Sequence, residues 1–76
     1  MSRHLIRVRI QKSGSQTNYV IQDVQVSSEG HQTVDVARDS YHRALIFPSE
    51  SKAIQEAWRY NQELVGKGED SVLDVT

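Results

Sequence analysis

The residue types that move protons, hold metals or attack carbonyl groups are few in this chain, and their spacing does not favour such chemistry. None of the three histidines, His4, His31 and His42, has a second histidine or an acid at a spacing that a helix would place on one face. No metal site is expected, and each histidine reads as a surface or loop residue. Asp39, Ser40 and His42 include the residue types of a nucleophilic triad. Triad members converge from separate parts of a fold, however, and neighbours along a chain rarely aim at one point. Ser13-Gly14-Ser15 holds one glycine and lacks the lysine-serine ending of a nucleotide loop. There is no cysteine, which removes disulfides and thiolate zinc sites. A chain of 76 residues has little room for a walled pocket beside a core. The expectation is a protein that is not an enzyme and carries no cofactor.

The arginines carry the stronger signal. Arg3, Arg7 and Arg9 lie on odd positions of a strand-like segment and project from one sheet face, with Arg38 or Arg43 extending the patch. A guanidinium bonds two oxygens at once, so such a row suits phosphates or a carboxylate-rich protein surface. The plainer alternative is pairing across strands with Asp23 and Asp35, or solvation of an open face. Arg3, Arg7, Arg9 and Lys12 are the only charged side chains among the first twelve residues, counting histidine as neutral. From Ser49 onward, Glu50, Glu56, Glu63, Glu69, Asp70 and Asp74 outnumber Lys52, Arg59 and Lys67. The net charge of −1 weighs against a dedicated nucleic-acid binder, which is usually basic. Phe47, the sole phenylalanine, is expected in the core, leaving no stacking platform for bases.

The element best marked in the sequence is a helix over Ser49–Val65. Ser49 follows Pro48 and can cap the first free amides. At about 100° per residue, Ala53, Ile54, Ala57, Asn61, Leu64 and Val65 share one side, opposite Lys52, Gln55, Glu56, Arg59, Gln62 and Glu63. Gly66-Lys67-Gly68 predicts a stop, with the left-handed position at Gly66. Trp58 and Tyr60 lie at opposite margins of the apolar stripe, suited to boundary packing or to contact with a partner. Asn61, within the stripe, needs a bond to sheet backbone or to a second subunit.

Ile6, Val8 and Ile10 alternate with Arg7 and Arg9, the period of a strand buried on one face. Lys12–Asn18 has turn chemistry and would close a hairpin with Tyr19–Val26. In that second strand Tyr19 and Ile21 share one parity, Val24 and Val26 the other. A bulge near Gln22-Asp23 brings both pairs to the core; without it, Val20, Val24 and Val26 face inward. Ser27–Gln32 turns the chain into a third antiparallel strand over Thr33–Val36. His42–Phe47 reads as a short strand, in competition with a helix over Val36–Leu45. Ser71–Val75 can add an edge strand or trail as a loose tail.

Together these elements predict one α+β domain over residues 1–76, a small antiparallel sheet of three to five strands with one helix across one face. Ile6, Val8, Ile10, Val24, Val26, Val34 and Val36 lie beneath the helix, and Arg7, Arg9, Gln25 and Asp35 on the uncovered face. No apolar run is long enough to span a bilayer and no signal-type segment follows the basic start, so a cytoplasmic protein without a membrane partner is expected. At this size a single core supplies about 3–5 kcal/mol, which favours a homodimer. The functional expectation is a protein-interaction module, an inhibitor or adaptor, with Arg3, Arg7, Arg9, Arg43, Trp58 and Tyr60 as partner contacts. A nucleic-acid-binding accessory protein using the same basic strand is the alternative. A third reading is an enzyme subunit or metabolic regulator with a small ligand at a dimer interface near Asn61.

Overall fold

The alternation of Ile6, Val8 and Ile10 with arginines produces β1 (Arg3–Ser13), one of the two long strands of the sheet, in the computed structural model, which describes residues 2–75. β1 runs straight into β2 (Gln16–Val26) through Gly14-Ser15. Gly14 has φ 61°, a left-handed conformation that a side chain makes costly. The connection is tighter than the seven-residue turn expected from composition, because Ser13 pairs with Gln16 and the strands extend to the loop. β3 (Gln32–Val36) pairs antiparallel with β2 after a turn closed by Ser27 and Gly30.

α1 (Glu50–Gly66) begins as the sequence predicts, with the Ser49 hydroxyl accepting the Lys52 amide at 3.1 Å. Its end differs from expectation. Gly66 is the last helical residue, Lys67 is the cap, and the left-handed residue is Gly68, with φ 85°. The Gly68 amide bonds the Val65 carbonyl and the Glu69 amide bonds the Leu64 carbonyl. This is a Schellman closure displaced two residues from Gly66. It turns the chain directly into β4 (Asp70–Asp74), so the C-terminal segment is an edge strand over these residues; Thr76 lies outside the described residues.

The result is an α+β fold with one helix on a four-stranded sheet of order β3-β2-β1-β4. The sheet is mixed rather than wholly antiparallel, since β4 runs parallel to β1. A helix that crosses the sheet from the β3 side and reverses once delivers its following strand in that direction. Residues 37–49 form neither the short strand nor the competing helix. They cross between layers as an irregular segment, held by isolated bridges of Tyr19 with Phe47 and of Arg38 with Ala44. The core is Ile6, Ile21, Ala37 and Ala57, with Val8, Leu45, Phe47, Tyr60, Leu64 and Leu73 against it.

The expected bulge is absent: β1 and β2 pair without interruption from Arg3–Val26 to Ser13–Gln16. Tyr19, Ile21, Asp23 and Gln25 therefore share the helix side with His4, Ile6, Val8 and Ile10. Val20, Val24 and Val26 fall on the opposite face, and β3 follows, with Val34 and Val36 opposite Val24 and Gln22. The four valines assigned to the helix side, Val24, Val26, Val34 and Val36, thus lie on the uncovered face. Gln25 and Asp35 exchange places with them.

The position of the helix stop is testable in the two glycines. An added Cβ at Gly66 meets nothing within 4 Å, so Gly66→Ala should stabilise the chain by about 0.5–1 kcal/mol. Gly68→Ala should destabilise by about 1–2 kcal/mol through its left-handed backbone. Paired urea titrations read both, and equal effects would contradict the displaced stop.

Candidate interaction surface

Beneath the helix the sequence places a carboxylate where it calls for an apolar residue. Asp23 is 3% exposed, and two donors reach it from different elements. His4 Nδ1 on β1 stands 2.8 Å from Oδ1, and the Tyr60 hydroxyl on α1 donates to Oδ2 at 2.9 Å. Glu69, in the turn before β4, lies 3.4 Å from His4 Nε2. Beside this chain, Ser71 Oγ donates to Asn61 Oδ1, so Asn61 is satisfied by a strand side chain rather than by backbone or a second subunit. No buried side-chain polar atom among the described residues lacks a partner.

The electrostatics of the group follow from that geometry. Burial alone lowers the affinity of His4 for its proton. The bond and charge of Asp23, and then of Glu69, outweigh it and hold the imidazole above its ordinary value of 6.5. Burial, followed by the adjacent Asp23 carboxylate, pushes the Tyr60 phenol up to about 12. The His4 imidazole lies between two carboxylates, the Tyr60 phenol keeps its proton to higher pH, and the group joins three elements. Among the described residues no group of three or more His, Cys, Asp or Glu could hold a metal ion.

The opposite face of the sheet is covered by no helix. Strand register aligns Val34, Val24, Leu5 and Val72 in one row across all four strands. The inner Val24 is buried between its neighbours, while the outer Val34 and Val72 are 53% and 52% exposed. Polar rows flank this stripe. On one side Gln32, Val26, Arg3 and Asp70 follow each other across the strands, and on the other Val36, Gln22, Arg7 and Asp74. Arg9, beside Val20, extends the basic line.

The arginine row is thus where its spacing predicts, but its neighbours are not Asp23 and Asp35. Arg3 is ion-paired with Asp70 at 3.1 Å. Arg7 donates to Gln22 Oε1 at 2.8 Å and stands opposite Asp74 in register. Arg9 donates to the Val8 carbonyl. Arg43 lies away from this row, on a loop where it pairs with Asp39 and stacks over the Tyr41 ring at 5.3 Å. The amide of Arg43, then that of Tyr41, bond the Asp39 carboxylate and hold it below its usual value against a weaker opposing effect of desolvation. Trp58 is 58% exposed on the helix. Tyr60 is committed to the buried network.

Two features escaped the sequence reading. The network was signalled by His4 and Asp23, each sharing parity with the apolar residues of its strand. The apolar row was hidden by the assumption that valines in an amphipathic strand must face the helix. Compared with protein-family models, curated proteins and solved structures, the chain matches none.

The buried network sets the pH dependence of stability. A group whose affinity for its proton is raised by folding contributes stability that is complete below its unfolded value and lost as pH rises through its folded one. His4 therefore contributes fully below 6.5, and its contribution fades above that pH. Tyr60 adds a second loss between 10.0 and about 12. Urea titrations across pH 5–11 should show both declines, with the first missing in His4→Gln and the second in Tyr60→Phe. Tyr60→Phe should also cost about 1–3 kcal/mol at neutral pH by removing a donor from Asp23. A flat profile in the parent chain would contradict the assignment.

Proposed function

We propose that this chain is a non-enzymatic interaction module, of inhibitor or adaptor type, that binds another protein across its uncovered sheet face in the cytoplasm. The observation that carries the reading is the row Val34, Val24, Leu5 and Val72, an apolar stripe crossing every strand on the side away from the helix. Interfaces characteristically have an apolar centre, a polar rim and a surplus of arginine. Here the rim supplies Arg3, Arg7 and Arg9 against Asp70 and Asp74, an excess of positive charge. The partner that fits carries an apolar patch edged with carboxylates. A second copy of this chain would bring the same excess of arginine to the contact, so a different protein is the better match. Nucleic acid uses the arginines but leaves the apolar row without a role.

Capture of a partner from lysate, with and without nuclease, tests the reading when combined with two substitutions. Val34→Glu and Arg9→Glu change residues of the face while leaving the Arg3–Asp70 and Arg7–Gln22 contacts intact. The expected result is one protein retained in both arms, with affinity reduced at least about tenfold in the double variant, as for a hot spot. Retention abolished by nuclease would transfer the arginine row to nucleic acid. Retention indifferent to the double variant would remove the sheet face from the function.

A further inference from the structure

We propose that the outer edge of β4 takes up an extended, basic segment of another protein as a fifth strand. This edge adjoins the sheet face and shares Asp70, Val72 and Asp74 with it, but it adds backbone pairing along β4 and contact with the helix, which the face does not use, so experiment distinguishes the two. β4 is the terminal strand of the sheet, paired with β1 on one side and with no second strand among the described residues. An edge of this kind offers a row of backbone donors and acceptors to any strand whose side chains fit.

The side chains of β4 select the newcomer by charge. Asp70, Val72 and Asp74 face away from the helix, and within the molecule they already meet their complement: Arg3, Leu5 and Arg7 stand opposite them one for one. An acid-apolar-acid row is thus matched by a basic-apolar-basic row, with Arg3 bonding Asp70. The outer edge presents the same three side chains to an added strand. The Asp70 carboxylate uses one oxygen for Arg3 and its side chain is 55% exposed, so its second oxygen can accept another donor. Self-association by this edge is disfavoured. In the two-fold register centred on Val72, Asp70 of each copy faces Asp74 of the other, and like charges directly opposite are destabilising.

The helix completes the site on the other side of the edge. Tyr60 bonds β2 and Asn61 bonds β4, which fixes the rotation of α1. At about 100° per residue, Trp58 and Val65 then lie beyond Asn61, on the flank of the helix turned toward the free edge. Trp58, Val65, Val72 and Val75 are four of the eight large apolar residues that the described chain exposes. Ile54 and Val75 also line an open recess of about 420 Å³ with Val8, Ile10 and Tyr19, rimmed by Arg9 and Glu50. An added strand therefore meets apolar surface with the residues it points toward the helix and carboxylates with those it points away. The sequence class is basic-X-apolar-apolar-basic, with Arg or Lys at the first and fifth positions and an uncharged or aromatic residue tolerated at the second.

A peptide copying Arg3–Arg9 of this chain (RHLIRVR) is the probe, titrated into the full-length isotope-labelled protein and followed by NMR. A control peptide carries Glu at its three arginine positions. Expected are shifts of the Asp70–Asp74 amides and the Trp58 indole, affinity that falls with salt, no binding of the control, and weakening of about tenfold by Trp58→Ala. Val34→Glu, on the far edge of the sheet, should leave peptide binding unchanged. The proposal is overturned by silence of β4 at millimolar peptide, equal binding of the control, or indifference to Trp58→Ala. Sensitivity to Val34→Glu would also overturn it by placing the peptide on the sheet face, and shifts throughout β2 would do so by showing exchange with β1. A failed lysate capture with the face variants has no bearing on these outcomes.

Discussion

A carboxylate in the core is tolerable only while donors reach it, and the rest of this fold is arranged around that requirement. Removing an ionised group from water without compensation costs several kcal/mol, about as much as a small domain has to lose. Asp23 escapes the penalty because an imidazole from the neighbouring strand and a phenol from the helix both bond it. The three groups belong to β1, β2 and α1. Their alignment therefore specifies which residue of β1 lies near which residue of β2, and how the helix is rotated above them. Apolar packing alone tolerates small slips; two short polar bonds to one carboxylate do not.

The register so imposed decides the character of the opposite face. With Asp23 inward, Val24 must point outward, and pairing carries Val34, Leu5 and Val72 into line with it. The exposed apolar row is thus coupled to the buried polar cluster through the two-residue period of the strands. β4 adds a second constraint, since Asp70 and Asp74 meet Arg3 and Arg7 only in the observed parallel register. A shift by one residue would set acids beside the core and Leu73 in solvent.

The sequence discloses elements more readily than it discloses faces. The helix, its Ser49 cap, the Gly14 hairpin and the third strand are all legible, because capping, turn chemistry and periodicity are local properties; the last segment was legible only as an edge strand or a loose tail. The expected bulge is a failure of a different kind. It came from requiring Val24 and Val26 to be inside and Asp23 to be outside, as their types suggest when each is taken alone. Burial of Asp23 depends on His4 and Tyr60, 19 and 37 residues away, and no local pattern records that pairing. The arginine row was legible as a row, since alternation fixes its common side. Its acidic neighbours were not, because β4 joins β1 across the length of the chain. The Gly66 stop missed by two residues because either glycine supports the closing turn.

The parallel pairing of β1 with β4 has a consequence for how the molecule is assembled. Arg3 and Asp70 are separated by 67 residues, yet they occupy neighbouring strands. As the chain leaves the ribosome, β1 and β2 can join early through their two-residue loop, but the other margin of β1 stays bare until β4 has emerged. Contacts so distant in sequence carry a large loop-closure entropy and slow the final step. During that interval an unsatisfied central strand bearing Ile6 and Val8 is open to inappropriate pairing. The charged Arg3, Arg7 and Arg9 make that margin of β1 a poor template for pairing with another copy, since like charges would meet.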